Sequence, residues 1–214
     1  MLERALSWAT PLLAPAFTLW GSPVTWLELV AVVLSLAMVW CNFRVDPRAW
    51  PLAIAASALY GLLFVANRLY GEAALQVMFI VVACWGWWQW QRGSGSDGRP
   101  LRVHQLQPPQ RWLIAGLTLA AWPLLAWLLR LHTDSDVPYL DALPTVGSVA
   151  GQFLLGRKLI ENWPVWLLVN LFSVGLFAFK SLWLTALLYA VFAALSIVGW
   201  RAWRVRMADS SQAR

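Results

Sequence analysis

Trp163, Trp166 and Asn170 are spaced i, i+3 and i+7 in an apolar segment, so they share one face of the helix that this segment predicts. At 1.5 Å per residue, Asn170 lies about 10 Å deeper along that helix than Trp163, near the middle of a bilayer. An amide at that depth needs a hydrogen-bonding partner, either on a neighbouring helix or on a bound solute. Trp166 adds an aromatic face that attracts cationic heteroaromatic rings. The pattern therefore indicates a neutral binding site with an aromatic wall, or else packing and lipid contact by Trp166 and an interfacial position for Trp163.

Four more side chains could contribute hydrogen bonds or stacking to such a site. They are Gln152, Tyr60, Gln76 and Tyr189. Gln152 lies in the inner half of a predicted helix, and both tyrosines reach about the membrane midplane. For each of them, bonding or packing between helices is the alternative interpretation.

The elements that must position these residues are membrane helices. The chain is 60% hydrophobic, 12% charged and carries 17 tryptophans. Its apolar runs of about 20 residues match the thickness of a bilayer core, where only helices satisfy their own backbone within one segment. The prediction is an all-α integral membrane protein. Its seven transmembrane helices are expected at 24–43, 48–66, 72–91, 111–130, 139–156, 162–179 and 182–203.

The chain repeats itself. Residues 25–90 align with residues 138–203 without a gap, and 16 of the 66 positions are identical. Trp50-Pro51 aligns with Trp163-Pro164, and Gly86-Trp87-x-x-Trp90 aligns with Gly199-Trp200-x-x-Trp203. Because residues as scarce as Trp, Pro and Gly fall in register, apolar composition alone does not explain the match. A duplicated membrane unit is typical of transporters of small solutes, with the site between the repeats.

The repeat divides the chain into six segments. They are an extracytoplasmic or interfacial lead-in (1–23), a first three-helix bundle (24–91), a cytoplasmic loop (92–110), a linker helix (111–130), a second bundle (139–203) and a cytoplasmic tail (204–214). Ser22 and Pro23 are expected to cap and begin the first helix. Three helices reverse the side of the chain and the linker restores it, so both bundles start on the same side. This predicts 3+1+3 parallel repeats, the layout of SWEET transporters.

Charge gives the orientation. Of the 16 basic residues, 12 fall on the side that holds the C-terminus, which predicts an external N-terminus and a cytoplasmic C-terminus. The net charge of +6 reflects this asymmetry and is dispersed over several loops, so no nucleic-acid partner is expected. Cys41 and Cys84 both lie near cytoplasmic helix ends, where a disulfide is not expected. No His, Cys or carboxylate pair has metal-ligand spacing, and no metal or cofactor is predicted.

The segment 157–170 resembles a known family. It reads Arg157-Lys158-x-x-Glu161-Asn162-Trp163-x-x-Trp166-x-x-x-Asn170 and is similar to the R-K-x-x-E-N-W-x-x-W-x-x-x-N/D pattern of the Pnu family of vitamin transporters. The runs 75–77, 86–90, 182–189 and 199–203 also resemble the family, and the similarity covers about 24–206. The resemblance implies a seven-helix SWEET-like fold in a bacterial inner membrane. It also implies facilitated diffusion of a vitamin precursor, trapping by a cytoplasmic vitamin kinase, and a homotrimer.

The resemblance leaves the cargo open between nicotinamide riboside, the first expectation, and thiamine or another nucleoside-like vitamin. Many nicotinamide riboside members have an Asn or Gln where this chain has apolar residues 81–84, and Pro47-Arg48-Ala49-Trp50 replaces a Ser-Asn pair.

Two other classes of function are weighed against transport. An intramembrane enzyme would need a nucleophile–base pair, a carboxylate pair or metal ligands in the bilayer. No His lies in a predicted helix, and Glu28, Glu72 and Asp141 sit at outer helix ends, where the helix dipole accounts for Glu28 and Asp141. A scaffold without transport activity is disfavoured because polar residues at the midplane are costly unless they are used.

Overall fold

The computed structural model describes residues 11–19, 21–66, 70–94, 98, 100–132, 138–179 and 183–212. Within these residues the protein has seven helices and one short hairpin. The helices are α1 (Trp26–Phe43), α2 (Ala49–Ala66), α3 (Tyr70–Arg92), α4 (Pro108–His132), α5 (Pro138–Gly156), α6 (Asn162–Phe179) and α7 (Trp183–Gln212). The hairpin pairs β1 (Pro15–Leu19) with β2 (Ser22–Thr25) in antiparallel fashion. The predicted helical class is confirmed, with the hairpin as an addition.

The hairpin determines where α1 begins. Thr25 is the N-cap, and its hydroxyl oxygen accepts a hydrogen bond from the Glu28 amide at 3.2 Å. The amides of Trp26 and Leu27 donate to Ala14 O (3.2 Å) and Leu12 O (2.7 Å). The residues just before β1 thus satisfy backbone donors that have no partner within the helix. The expectation that Ser22 and Pro23 cap and begin the helix is wrong, because both residues belong to β2.

Four stretches are long and apolar enough to cross a membrane, within the described part of the chain. They are Trp26–Phe43, Ala49–Ala66, Pro108–His132 and Ala186–Asp209. A shorter apolar stretch, Asn162–Leu176, lies in α6. Helix α7 continues to Gln212, well past its predicted end at 203. The expected tail is therefore helical over most of its length, because its Arg, Met and Ala residues are good helix formers.

The chain forms two compact units, residues Met1–Gln91 and Arg92–Arg214. The first contains α1 to α3 and the second contains α4 to α7. Helix α4 packs on α5, where the Trp122 indole N–H donates to Tyr139 O at 2.7 Å. The fifth predicted helix is confirmed as α5, although it contains Pro144 and several polar side chains.

Local geometry recurs between the units at the offset of the sequence repeat. Helices α2 and α6 occupy equivalent ranges, α1 and α5 end at equivalent residues, and α3 and α7 begin at equivalent residues. The turns after α1 and α5 each contain a left-handed residue that is not glycine, Val45 (φ 56°) and Lys158 (φ 54°). Both turns have the pair of backbone bonds of a Schellman motif, 45→42 with 46→41 and 158→155 with 159→154, at 2.9 to 3.1 Å.

Each unit also has a tryptophan seated on a glycine. Trp50 covers Gly86 and meets Trp90 edge-to-face, with ring centroids 5.4 Å apart. Trp163 covers Gly199 and meets Trp203 in the same way at 5.6 Å. A Cβ on either glycine would overlap the tryptophan ring above it. The glycines therefore leave room for a tryptophan ring between α2 and α3 and between α6 and α7.

Candidate functional site

Asn170 lies in the interior of the second unit and is 4% exposed. Its side-chain Nδ2 donates to Ser196 Oγ on α7 at 3.2 Å, and Ser196 Oγ donates to Phe192 O at 2.8 Å. Asn170 therefore makes a hydrogen bond between α6 and α7, which is one of the two partners expected for this amide. An asparagine side chain has two N–H donors and an acceptor oxygen, so one such bond uses only part of its capacity.

Trp166 is half-buried on α6 and lies against Gly151 of α5. A Cβ on Gly151 would be 3.0 Å from Trp166 Cε2 and 3.1 Å from its Nε1. The indole therefore rests on the backbone of α5, and the same aromatic side chain remains partly accessible.

Trp163 contacts a different helix from Trp166. It is 4% exposed and is enclosed by Gly199 and Trp203 of α7. This geometry gives Trp163 a role in packing α6 against α7. A contact between Trp163 and a solute stays a prediction.

Gln152 belongs to a set of buried, neutral polar residues that the second unit contributes from three helices. The set is Ser148, Gln152, Asn170, Ser173 and Ser196, each between 2% and 9% exposed. Sequence reasoning missed the three serines. Helical spacing could have found two of them, because Ser148 precedes Gln152 by four residues and Ser173 follows Asn170 by three.

The three remaining candidates make contacts of other kinds. Tyr189, on α7, meets Phe192 edge-to-face with centroids 6.2 Å apart. Tyr60 stacks on Phe64 at 6.1 Å, and Gln76 Cβ would be 3.6 Å from a Cβ on Gly61, both within the first unit. Their contacts with a solute stay predictions.

The comparisons with known proteins agree with this fold and sequence pattern. The sequence model of the nicotinamide mononucleotide transporter family matches residues 25–205. The chain belongs to this family. The resemblance to Pnu vitamin transporters is thereby confirmed, and the protein is a multi-pass membrane protein of that family.

Two curated relatives in the family carry different names. The nicotinamide riboside transporter PnuC of Escherichia coli (strain K12) is 25% identical over 208 residues, covering 86% of this chain and 87% of the relative. The riboflavin/roseoflavin transporter RibM of Streptomyces davaonensis is 27% identical over 201 residues, covering 92% and 93%. The crystal structure of the vitamin B3 transporter PnuC superposes with a TM-score of 0.70 at 22% identity, covering 86% of this chain and 83% of that one, which shows a shared fold.

Two charged residues of the family's motif, Lys158 and Glu161, hold the loop before α4 in this chain. The buried Lys158 Nζ donates to Leu101 O at 2.9 Å, and burial lowers the pKa of this lysine. Glu161 Oε1 accepts from the Leu106 amide at 3.0 Å and from Arg111 Nε at 2.9 Å.

Backbone pairing completes this loop anchor, which consists of residues 101–106 and Arg111 bound to Lys158–Glu161. The His104 amide donates to Lys158 O at 3.1 Å, and the Ile160 amide donates to His104 O at 2.9 Å. Asn162 closes the turn, with Nδ2 2.6 Å from Leu159 O. The Lys and Glu of the motif thus bind the protein's own loop, whereas Trp166 and Asn170 lie farther along α6.

Proposed function

We propose that this protein is a facilitator that passes nicotinamide riboside across the membrane. The observation that carries the proposal is the combination of the neutral polar set of the second unit with the half-buried Trp166 one helical turn from Asn170. Amides and hydroxyls suit a ribose and a carboxamide, and an indole face suits a cationic pyridinium ring.

The scarcity of buried cations among the described residues favours a cargo without phosphate. Recognition of a phosphate group in proteins generally uses Arg or Lys side chains. The only lysine or arginine among the described buried residues, Lys158, is bonded to Leu101 O in the turn before α6. We therefore favour the riboside over the mononucleotide that the family's name mentions.

Riboflavin is the second candidate cargo. RibM is as similar to this chain as PnuC of Escherichia coli is, and riboflavin is also an aromatic solute with a polyhydroxyl chain and no phosphate. Thiamine stays a third candidate because its thiazolium ring is cationic.

We further propose that transport is equilibrative, with trapping by a cytoplasmic vitamin kinase. Glu28 and Asp141 lie in the first turns of α1 and α5, and Glu72 lies near the start of α3. Proton coupling through an acidic residue needs that residue inside the membrane, and none of these three lies at a helix centre. The same proposal includes 3+1+3 parallel repeats, a bacterial inner membrane, an external N-terminus and a homotrimer.

Purified protein in proteoliposomes tests the function directly. Labelled nicotinamide riboside, nicotinamide mononucleotide, riboflavin and thiamine would be offered without an ion gradient. Nicotinamide riboside is expected to enter saturably and to stop at the external concentration. Trp166→Ala should weaken its apparent affinity by roughly tenfold, since stacking and cation–π attraction are lost together. Preference for the mononucleotide, or accumulation driven by a proton or sodium gradient, would contradict the proposal.

A further inference from the structure

Helix α5 presents bare backbone to α6 at two positions one turn apart. A Cβ on Gly147 would be 2.6 Å from Val169 Cγ2, and a Cβ on Gly151 would be 3.0 Å from Trp166 Cε2. A pair of small residues four positions apart is the common device that lets membrane helices pack closely. Here it also brings the Trp166 indole against the backbone of α5.

At the equivalent positions of the first unit, the large and small side chains lie on the opposite helices. Leu34 and Met38 on α1 correspond to the two glycines, and both are half-buried. Ala53 and Ala56 on α2 correspond to Trp166 and Val169, and they are 8% and 4% exposed. At these positions α1 has large residues and α2 has small ones. The order is reversed in the second unit, where α5 has glycines and α6 has large residues.

This reversal allows a large aromatic side chain on α6 without displacing α5. With a side chain of the size of Met38 at position 151, the indole of Trp166 would have to leave its present place. At 3.0 to 3.1 Å even a methyl group obliges the ring to move by a few tenths of an ångström. Gln152 follows Gly151 directly in the sequence and is itself buried.

We infer that Gly151 is a positioning residue for cargo selection: by lacking a side chain, it sets where the Trp166 indole lies and thereby which aromatic ring system the site accepts. The inference rests on the proposed function, in which Trp166 stacks on the cargo. Gly151 acts through Trp166 and touches no solute itself.

The test measures two quantities for full-length protein in proteoliposomes and detergent. They are the thermal stability and the ratio of apparent affinities for nicotinamide riboside and riboflavin. Gly151→Ala is expected to change the ratio by roughly two- to tenfold, the worth of one aromatic stacking contact.

Two glycines of the same unit supply matched controls. Gly147→Ala crowds Val169 on the same face, so it should lower stability and leave the affinity ratio unchanged. Gly175→Ala on α6 meets nothing within 4 Å, so it should leave the ratio unchanged and show the effect of helix propensity alone on stability. A Gly151→Ala ratio equal to that of Gly175→Ala, or a ratio change that Gly147→Ala reproduces, overturns the inference.

A second variant covers the case in which Gly151→Ala does not fold. Adding Trp166→Ala removes the ring atoms Cε2, Nε1 and Cδ2 that the new Cβ meets, so the double variant should fold again. Failure of the double variant would show that the clash lies elsewhere and would overturn the inference.

Trp166→Ala separates this inference from the proposed function. If Trp166→Ala binds both cargoes as the original protein does, the proposed site is wrong. If Trp166→Ala loses affinity while Gly151→Ala keeps the original ratio, the proposed site stands and the positioning role of Gly151 is wrong.

Discussion

Asn170 packs α6 against α7 in the structure and contacts the cargo in the proposed function. Its bond to Ser196 joins α6 to α7 at a buried point, and bonds of this kind between membrane helices contribute only about 0.6 kcal/mol on average. The remaining capacity of the amide is available to a solute in the proposed function. Substitutions at the two ends of the bond separate the roles.

We expect Asn170→Leu to weaken binding of nicotinamide riboside by up to roughly tenfold, because one hydrogen bond to the cargo is worth about 0.5–1.5 kcal/mol. Ser196→Ala removes the same interhelical bond and leaves the amide in place, so its effect on affinity should be much smaller. Binding would be measured by isothermal titration on protein whose folding has been checked. Equal losses of affinity in the two variants would assign Asn170 to packing alone.

At the scale of elements, the two tryptophan–glycine contacts set the spacing of helices within each unit. Gly199→Ala should lower stability by about 1–3 kcal/mol, the usual cost of overpacking, because the Trp163 ring must move. Gly86→Ala should act alike through Trp50. Gly175→Ala is the control with open space around it. Melting temperatures in detergent give the comparison, and a Gly199→Ala protein as stable as Gly175→Ala would refute the clamping role.

The loop anchor can be tested through Glu161. Glu161→Ala removes a charged acceptor from the Leu106 amide and from Arg111, bonds worth about 1.5–3 kcal/mol for a charged partner. Hydrogen exchange at the amide of Leu106 should therefore quicken by roughly tenfold or more. Affinity for the cargo should change little, because Glu161 binds the loop.

The equivalent turn of the first unit supplies the control for this experiment. Asp46 and Arg48 form an exposed ion pair at 2.7 Å, and the hydrogen bonds from Arg48 lower the pKa of Asp46. Asp46→Asn breaks this pair and should leave exchange at residues 101–106 unchanged. Unchanged exchange in Glu161→Ala as well would show that the backbone pairing of His104 holds the loop without the carboxylate.

At the scale of the whole molecule, the distribution of basic residues makes a prediction about topology. In a variant whose Cys41 and Cys84 are replaced by Ser, single cysteines would be introduced at Ser94 and His132, both exposed. With 12 of 16 basic residues on the side of the C-terminus, an impermeant thiol reagent should label position 132 on intact cells and position 94 only in inside-out vesicles. Labelling of position 94 from outside would reverse the orientation.

The positions of the helices follow from the amino-acid sequence because the signal for a membrane helix is local. An apolar run long enough to span a bilayer satisfies its backbone best as a helix, so the seven predicted segments correspond to α1 to α7. One error fell where a local signal met a non-local one, because pairing with β1 draws Ser22 and Pro23 into a strand. The other concerned a local signal: α7 continues through a basic segment of good helix formers that was expected to be a tail.

The contacts of each side chain, in contrast, depend on how the helices pack. Trp163 and Trp166 share a helix face by spacing, yet the first packs on Gly199 of α7 and the second on Gly151 of α5. Glu161 binds Leu106, which lies 55 residues earlier in the chain. Helical periodicity fixes the direction of a side chain relative to its own helix. Its partner depends on where neighbouring helices offer a glycine, a serine or a loop amide, and that is settled only when the helices pack.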